Sequence, residues 1–196
     1  MRDPQARTNL ATIRQDIPIV DTQFDRALIA GLADQNDMVE AQRLYALAAR
    51  QTPATEGQNA LGWRADYPPF DWELTDESDF RAQPSRDGER LELFVRSGQG
   101  GVIARRFLVP PAGAFAIITD FDGGAARSGA VRLQLRCQRA DEAAFLQQEL
   151  APGANSLRVD VLPQECAAPI LEIHARARRG EPTMRAELSA LEIDEL

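Results

Sequence analysis

The spacing of apolar positions along this chain changes near residue 60. Before that point, apolar residues recur at the spacing of one helical face. The stretch Asp37 to Gln51 is the clearest case. Asp37 is placed to cap it, and Glu40 stands three positions on, as in a capping box. Ala41, Leu44, Tyr45 and Ala48 form one face, and Pro53 stops the helix. A second helix is predicted from about Thr22 to Ala33, with Phe24, Leu28 and Leu32 on its buried stripe and Asp34-Gln35-Asn36 as the turn. Beyond residue 60 the pattern becomes strict alternation. Val131, Leu133, Leu135 and Cys137 alternate with Arg132, Gln134, Arg136 and Gln138, the mark of a strand buried on one side.

Further strands are predicted near 70–75, 90–97, 102–109, 114–121, 145–150, 156–162, 169–176 and 184–193. Turn chemistry separates them: Gly98-Gln99-Gly100-Gly101, Pro110-Pro111-Ala112-Gly113, Asp122-Gly123-Gly124, Pro152-Gly153 and Arg179-Gly180-Glu181-Pro182. No long helix intervenes, so parallel winding is disfavoured. The pattern predicts a mostly β chain, an antiparallel two-sheet jelly-roll sandwich with an N-terminal appendage of two to three helices. Its parts would be helices over 1–55, a linker over 56–68 and the sandwich over 69–196.

Composition narrows the class. The chain has 196 residues, 44% hydrophobic and 27% charged, as in ordinary folded proteins. No apolar stretch approaches the roughly 18 residues that span a bilayer. Met1-Arg2-Asp3-Pro4 does not open a secretion signal, so the chain acts where it is made or lacks a targeting segment. Net charge is −8, and the arginines, the chain's only basic residues besides one histidine, are mixed with acids. That balance excludes nucleic acid and anionic membrane surfaces as natural partners.

Two resemblances add to this. Ala6, Leu10, Ile13 and Pro18 recur as Ala41, Tyr45, Ala48 and Pro53, each 35 positions on. The order resembles the second helix of a tetratricopeptide repeat, although the usual Trp and Gly-Tyr positions of the first helix are not filled. Over about 65–196 the chain resembles a galactose-binding-like, carbohydrate-binding-module-type jelly roll. Phe70-Asp71-Trp72 at the first strand, Phe107-Leu108-Val109-Pro110-Pro111 and the closing run Leu188 to Leu196 carry this likeness. It implies a module that binds a glycan or a protein partner, often as a non-catalytic part of a larger enzyme.

Candidate chemistry is sparse. Trp63, Tyr67 and Trp72, with Phe70, concentrate aromatic rings, and sugars stack their C–H faces on such rings. Packing between helices and sandwich is the competing role. Asp120 and Asp122 before Gly123-Gly124 resemble the opening of a calcium loop, but Val131 stands where an EF-hand places its closing Glu. A structural calcium is the one cofactor these residues suggest. Cys137 and Cys166 are too far apart for a CxxC motif. They are buried thiols, or a disulfide if the strand after Cys166 lies beside the Val131 strand. A disulfide would mean an oxidising compartment such as a periplasm.

His174, the only histidine, falls on the outward row with Glu172 and Arg176. Asp71, Glu73, Asp76, Glu77 and Asp79 read as a solvated acidic edge. Gly98 to Gly101 lies between strands, with no helix to cradle phosphate, and no GxSxG nucleophile elbow occurs. The sequence therefore reads as a non-enzymatic interaction protein, its sandwich recognising a glycan or serving as an assembly surface while the helices dock a protein. A scaffold of an envelope or secreted complex, and an accessory domain of a polysaccharide-processing enzyme, are the alternatives. Periplasm or cell envelope is implied if a targeting segment is missing, cytoplasm otherwise, and oligomeric state is not encoded.

Overall fold

A computed structural model describes residues 4–15, 21–50, 60–124, 129–138, 143–164, 166 and 168–196. The chain divides into two compact units. One comprises Met1–Thr55 with Arg64–Trp72, the other Glu56–Trp63 with Glu73–Leu196.

The first unit holds three helices: α1 (Pro4–Gln15), α2 (Thr22–Asp34) and α3 (Met38–Arg50). Asp21 caps α2, its carboxylate accepting the Phe24 N–H at 3.0 Å. Asn36 takes a left-handed φ of 63° in the turn, where the Asn36 and Asp37 N–H groups satisfy the Ala33 and Leu32 carbonyls. Asp37 then starts α3, accepting from the Glu40 N–H. Leu28, Ile29 and Leu32 of α2 are buried, as are Ala41, Leu44 and Ala48 of α3. Phe24, expected on the buried stripe, is 38% exposed. Asp25 takes the inward position and binds the buried Arg14 through two bonds of 2.6 and 2.8 Å, which turns the stripe by one residue. Pro18 and Pro53 lie outside the described residues.

Phe70-Asp71-Trp72 does not open a strand. It belongs with the helices: the buried Asp71 carboxylate accepts from the Tyr45 hydroxyl at 2.9 Å and the Tyr67 N–H at 3.0 Å, and Phe70 stacks on Tyr45 at 5.2 Å. An unpaired buried carboxylate costs several kcal/mol, so these bonds dictate where the segment packs. Asp71 is thus no part of a solvated edge. Pro68–Pro69 within it is a cis peptide.

The second unit contains β1 (Ala60–Leu61), β2 (Glu73–Leu74), β3 (Phe80–Pro84), β4 (Arg90–Val95), β5 (Gly100–Phe107), β6 (Phe115–Asp122), β7 (Val131–Arg136), β8 (Leu146–Glu149), β9 (Gly153–Val159), β10 (Ile170–Arg176), β11 (Met184–Ser189) and β12 (Leu191–Glu195). The first sheet has seven strands in the order β1-β12-β6-β11-β4-β3, with β9 also paired to β6. The second has five, β2-β5-β10-β7-β8. Every pairing is antiparallel. This is a mostly β jelly-roll sandwich.

The alternation seen in the sequence sets the two faces. Leu91, Leu93 and Val95 of β4, Phe115, Ile117 and Phe121 of β6, Val131, Leu133 and Leu135 of β7, and Leu171 and Ile173 of β10 are all buried. At about 1.5–3 kcal/mol for each large apolar side chain removed from water, these rows hold the sheets together. Gly100 begins β5 with φ 146°, and a Cβ there would meet the Ala175 carbonyl and the Arg176 Cα, so only glycine lets β5 approach β10 this closely.

Candidate functional site

The outward rows of the two sheets differ in chemistry. On the five-stranded sheet several charges answer one another. Arg105 binds Glu73 at 2.7 Å across β5 and β2. Glu172 accepts from Arg136 at 2.7 Å, and its other oxygen lies 3.0 Å from His174 Nε2. Glu172 is only 5% exposed. Burial works against its charge, but the His174 and Arg136 hydrogen bonds and the Arg136 charge outweigh it, leaving the carboxyl below its ordinary range. His174 is thereby partly buried, a partner of Glu172 on the outward row where the sequence put it.

On the seven-stranded sheet one position breaks the pattern. In β4 the outward row is Arg90, Glu92 and Phe94, opposite the buried Leu91, Leu93 and Val95. A large apolar ring thus stands among polar side chains. The register places Arg81 of β3 and Arg185 of β11 directly beside it. Their guanidinium carbons lie 4.4 and 5.3 Å from the ring centroid, so two cations flank one aromatic ring. The next row on the same face is Gln83, Glu92, Glu187 and Asp122, one from each of β3, β4, β11 and β6.

These two rows line an open hollow of about 350 Å³. Gln83 donates to Glu92 at 2.9 Å, Arg90 donates to Glu187 at 2.7 Å, and Asp122 accepts the Gly124 N–H at 3.0 Å. Each carboxylate has two oxygens, and these bonds leave acceptor capacity facing the hollow. Arg81 and Arg185 form no ion pair among the described residues, so their donors also remain open. The hollow therefore offers N–H donors, carboxylate acceptors and an apolar ring edge within one face. That is the set needed to bind a polyhydroxylated molecule with apolar C–H patches.

None of the aromatic rings singled out from the sequence lies here. Trp63, Tyr67 and Trp72 are 3, 1 and 0% exposed. Rings of that size gain most by burial, and no ring face is left open for a sugar to stack on. Of the calcium pair, Asp122 joins the hollow, whereas Asp120 stands on β6 with its backbone N–H bound by Ser189 Oγ at 2.8 Å. Both occupy a strand, and no group of three or more His, Cys, Asp or Glu gathers to hold a metal ion among the described residues. Cys137 and Cys166 are bonded as a disulfide, their Cα atoms 5.2 Å apart, because β10 starts beside the end of β7 with Ile170 opposite Arg136.

The signal that marks the hollow was present in the sequence. Phe94 shares the parity of Arg90, Glu92 and Arg96, so an aromatic on the polar row of a predicted strand was readable. Its arginine flanks were not, because they depend on which strands pair.

No family model matches this chain, and no curated protein matches its sequence. Among solved structures it is similar to the accessory secretory protein 1, 2 and 3 structure from Streptococcus pneumoniae, at 9% identity over 74% of this chain and 99% of that one, with a TM-score of 0.48. A structure described as CBM4 is 11% identical over 67% of this chain and 83% of its own, with a TM-score of 0.45. The family 11 carbohydrate-binding module from Clostridium thermocellum, in complex with a mixed-linked tetrasaccharide, is 7% identical over 72% of this chain and 97% of its own, with a TM-score of 0.41. Likenesses this slight carry neither a ligand nor a site residue across.

Proposed function

We propose that this chain is a non-enzymatic recognition protein whose sandwich binds a glycan in the hollow around Phe94. The observation that carries the reading is the aromatic ring on the solvent row of β4, flanked by Arg81 and Arg185 and bordered by Glu92, Glu187 and Asp122. Hydroxyl groups need donors and acceptors together, and this face supplies both. Stacking on Phe94 restrains the two guanidinium groups, so binding loses less side-chain freedom. The opposite face, where Arg105 is held by Glu73 and Glu172 by Arg136 and His174, has less to offer a ligand.

A second role rests on the helical unit, where Ile13, Phe24 and Val39 are 54, 38 and 80% exposed. Such side chains suit a protein partner better than a sugar, so docking through the helices accompanies glycan binding in this reading. The disulfide supports residence in an oxidising compartment, periplasm or envelope.

A glycan array probed with the intact chain tests the reading. The expected result is binding to a defined glycan set that falls at least tenfold in Phe94→Ala and in Glu187→Gln, both on the solvent face and compatible with folding. Binding unchanged by both substitutions would overturn the site, and no glycan bound at all would leave the assembly role alone.

A further inference from the structure

A second hollow, of about 440 Å³, opens at one end of the sandwich. It is lined by the turn after β10, which carries Arg178, Arg179 and Glu181, by Arg176 at the end of that strand, and by the backbone of Gly98 and Gly129. Arg176, Arg178 and Arg179 are exposed. Elsewhere in the same unit Arg90, Arg96, Arg105, Arg136 and Arg158 each hold an acid. The three arginines of this hollow hold none among the described residues. Two acids stand near: Glu181 of the lining accepts the Arg178 backbone N–H at 2.9 Å, and the Glu149 carboxylate lies against Gly129. In a chain of net charge −8, this hollow gathers three arginine side chains that hold no acid among the described residues.

The scaffold beneath them is firmly tied. Ala177 N–H bonds to the Gln99 carbonyl at 3.0 Å and Arg176 N–H to the Ala130 carbonyl at 2.8 Å. Gly180 N–H bonds to Ser97 Oγ at 3.2 Å. Three loops are thus joined beneath one set of guanidinium groups. Planar guanidinium forks match the paired oxygens of carboxylates, sulfates and phosphates.

The hollow also lies at the end of the sheet nearest Phe94. Gly98 follows Phe94 by four positions, Arg179 precedes Arg185 by six, and Gly98 and Arg179 adjoin. At about 3.4 Å per extended residue, Gly98 lies within roughly 14 Å of Phe94, inside the reach of a short oligosaccharide.

We propose that this arginine hollow receives one anionic substituent, a uronate carboxylate or a sulfate ester, of the saccharide bound at Phe94. The inference rests on the glycan reading and specifies the ligand as an acidic saccharide. At 0.1 M salt, charges more than a Debye length of about 10 Å apart are largely screened, so the arginines select a fitted group at close range and do not draw polymer from afar.

The test titrates the full chain with galacturonate oligomers, with the same oligomers after carboxyl reduction to neutral galactose units, and with sulfated galactose oligomers. It compares wild type with Arg178→Gln/Arg179→Gln and with Phe94→Ala, their folds checked by circular dichroism. The inference predicts that at least one acidic oligomer binds tenfold or more tightly than its neutral counterpart. The arginine variant should lose that advantage while keeping the neutral affinity, and Phe94→Ala should weaken both. Neutral and acidic oligomers bound alike, or an acidic preference untouched by the arginine variant, would overturn the inference and leave glycan binding standing. Binding of poly-glutamate, but of no saccharide, through the same arginines would overturn both, in favour of an acidic peptide.

Discussion

At the scale of single residues, the account turns on how each charge is satisfied. Glu172 is the clearest case, because it is buried on an outward row yet stays ionised through His174 and Arg136. A carboxyl held below its ordinary value stabilises the fold above the unfolded-state value, about 4.3, and loses that contribution as pH falls through the lower folded value. Urea unfolding of Glu172→Gln against wild type should therefore show a clear loss of stability at pH 7 that shrinks by pH 3. An equal loss at both values would mean the charge is not what matters. Arg14 and Asp25 make the corresponding pair in the helical unit, where removing one partner would strand the other at a typical cost of about 3–5 kcal/mol. Individual residues were legible in the sequence where parity decided the outcome, as for Val131, Leu133 and Leu135. They were misread where a polar partner decided it. Asp25 displaced Phe24 from the buried stripe, and Asp71 drew Phe70 and Trp72 away from the sheet; neither partner, Arg14 or Tyr45, is visible from local pattern.

At the scale of elements, turn residues and alternation located most strands to within a few positions, and the expected helices lie over Thr22–Asp34 and Met38–Arg50. Two strands escaped. Ala60–Leu61 is too short to show a period. Phe80–Pro84 follows an acidic run and ends on proline, which suits only an edge strand such as β3. That omission hid the site, since Arg81 and Gln83 come from β3. The single bent run expected over 184–193 is two strands, β11 and β12, which lets one chain segment pair with β4 and then along β6. The disulfide ties the segment before β10 to the end of β7 across 29 positions. Closing a loop of that size stabilises a fold by about 2–4 kcal/mol, so reduction should lower the urea midpoint correspondingly. Thiol titration of unfolded protein should find two reactive groups only after reductant is added. Thiols reactive without reductant would remove the argument for an oxidising compartment.

At the scale of the whole molecule, the proposed function gives the two units different roles. The helices present apolar side chains suited to a protein, and the sandwich presents one face of open polar groups around a ring. The two sheets are alike in backbone and differ in surface: the five-stranded one ties Arg105 to Glu73 and Arg136 to Glu172, and the seven-stranded one gathers spare donors and acceptors around Phe94. Which sheet face meets the ligand is therefore the central claim. Amide chemical-shift mapping of the intact chain, titrated with whichever glycan binds on the array, tests it directly. The account predicts saturable shifts at Arg81–Gln83, Glu92–Phe94 and Arg185–Glu187, with 132–136 and 172–174 undisturbed. Shifts confined to those β7 and β10 positions would contradict it.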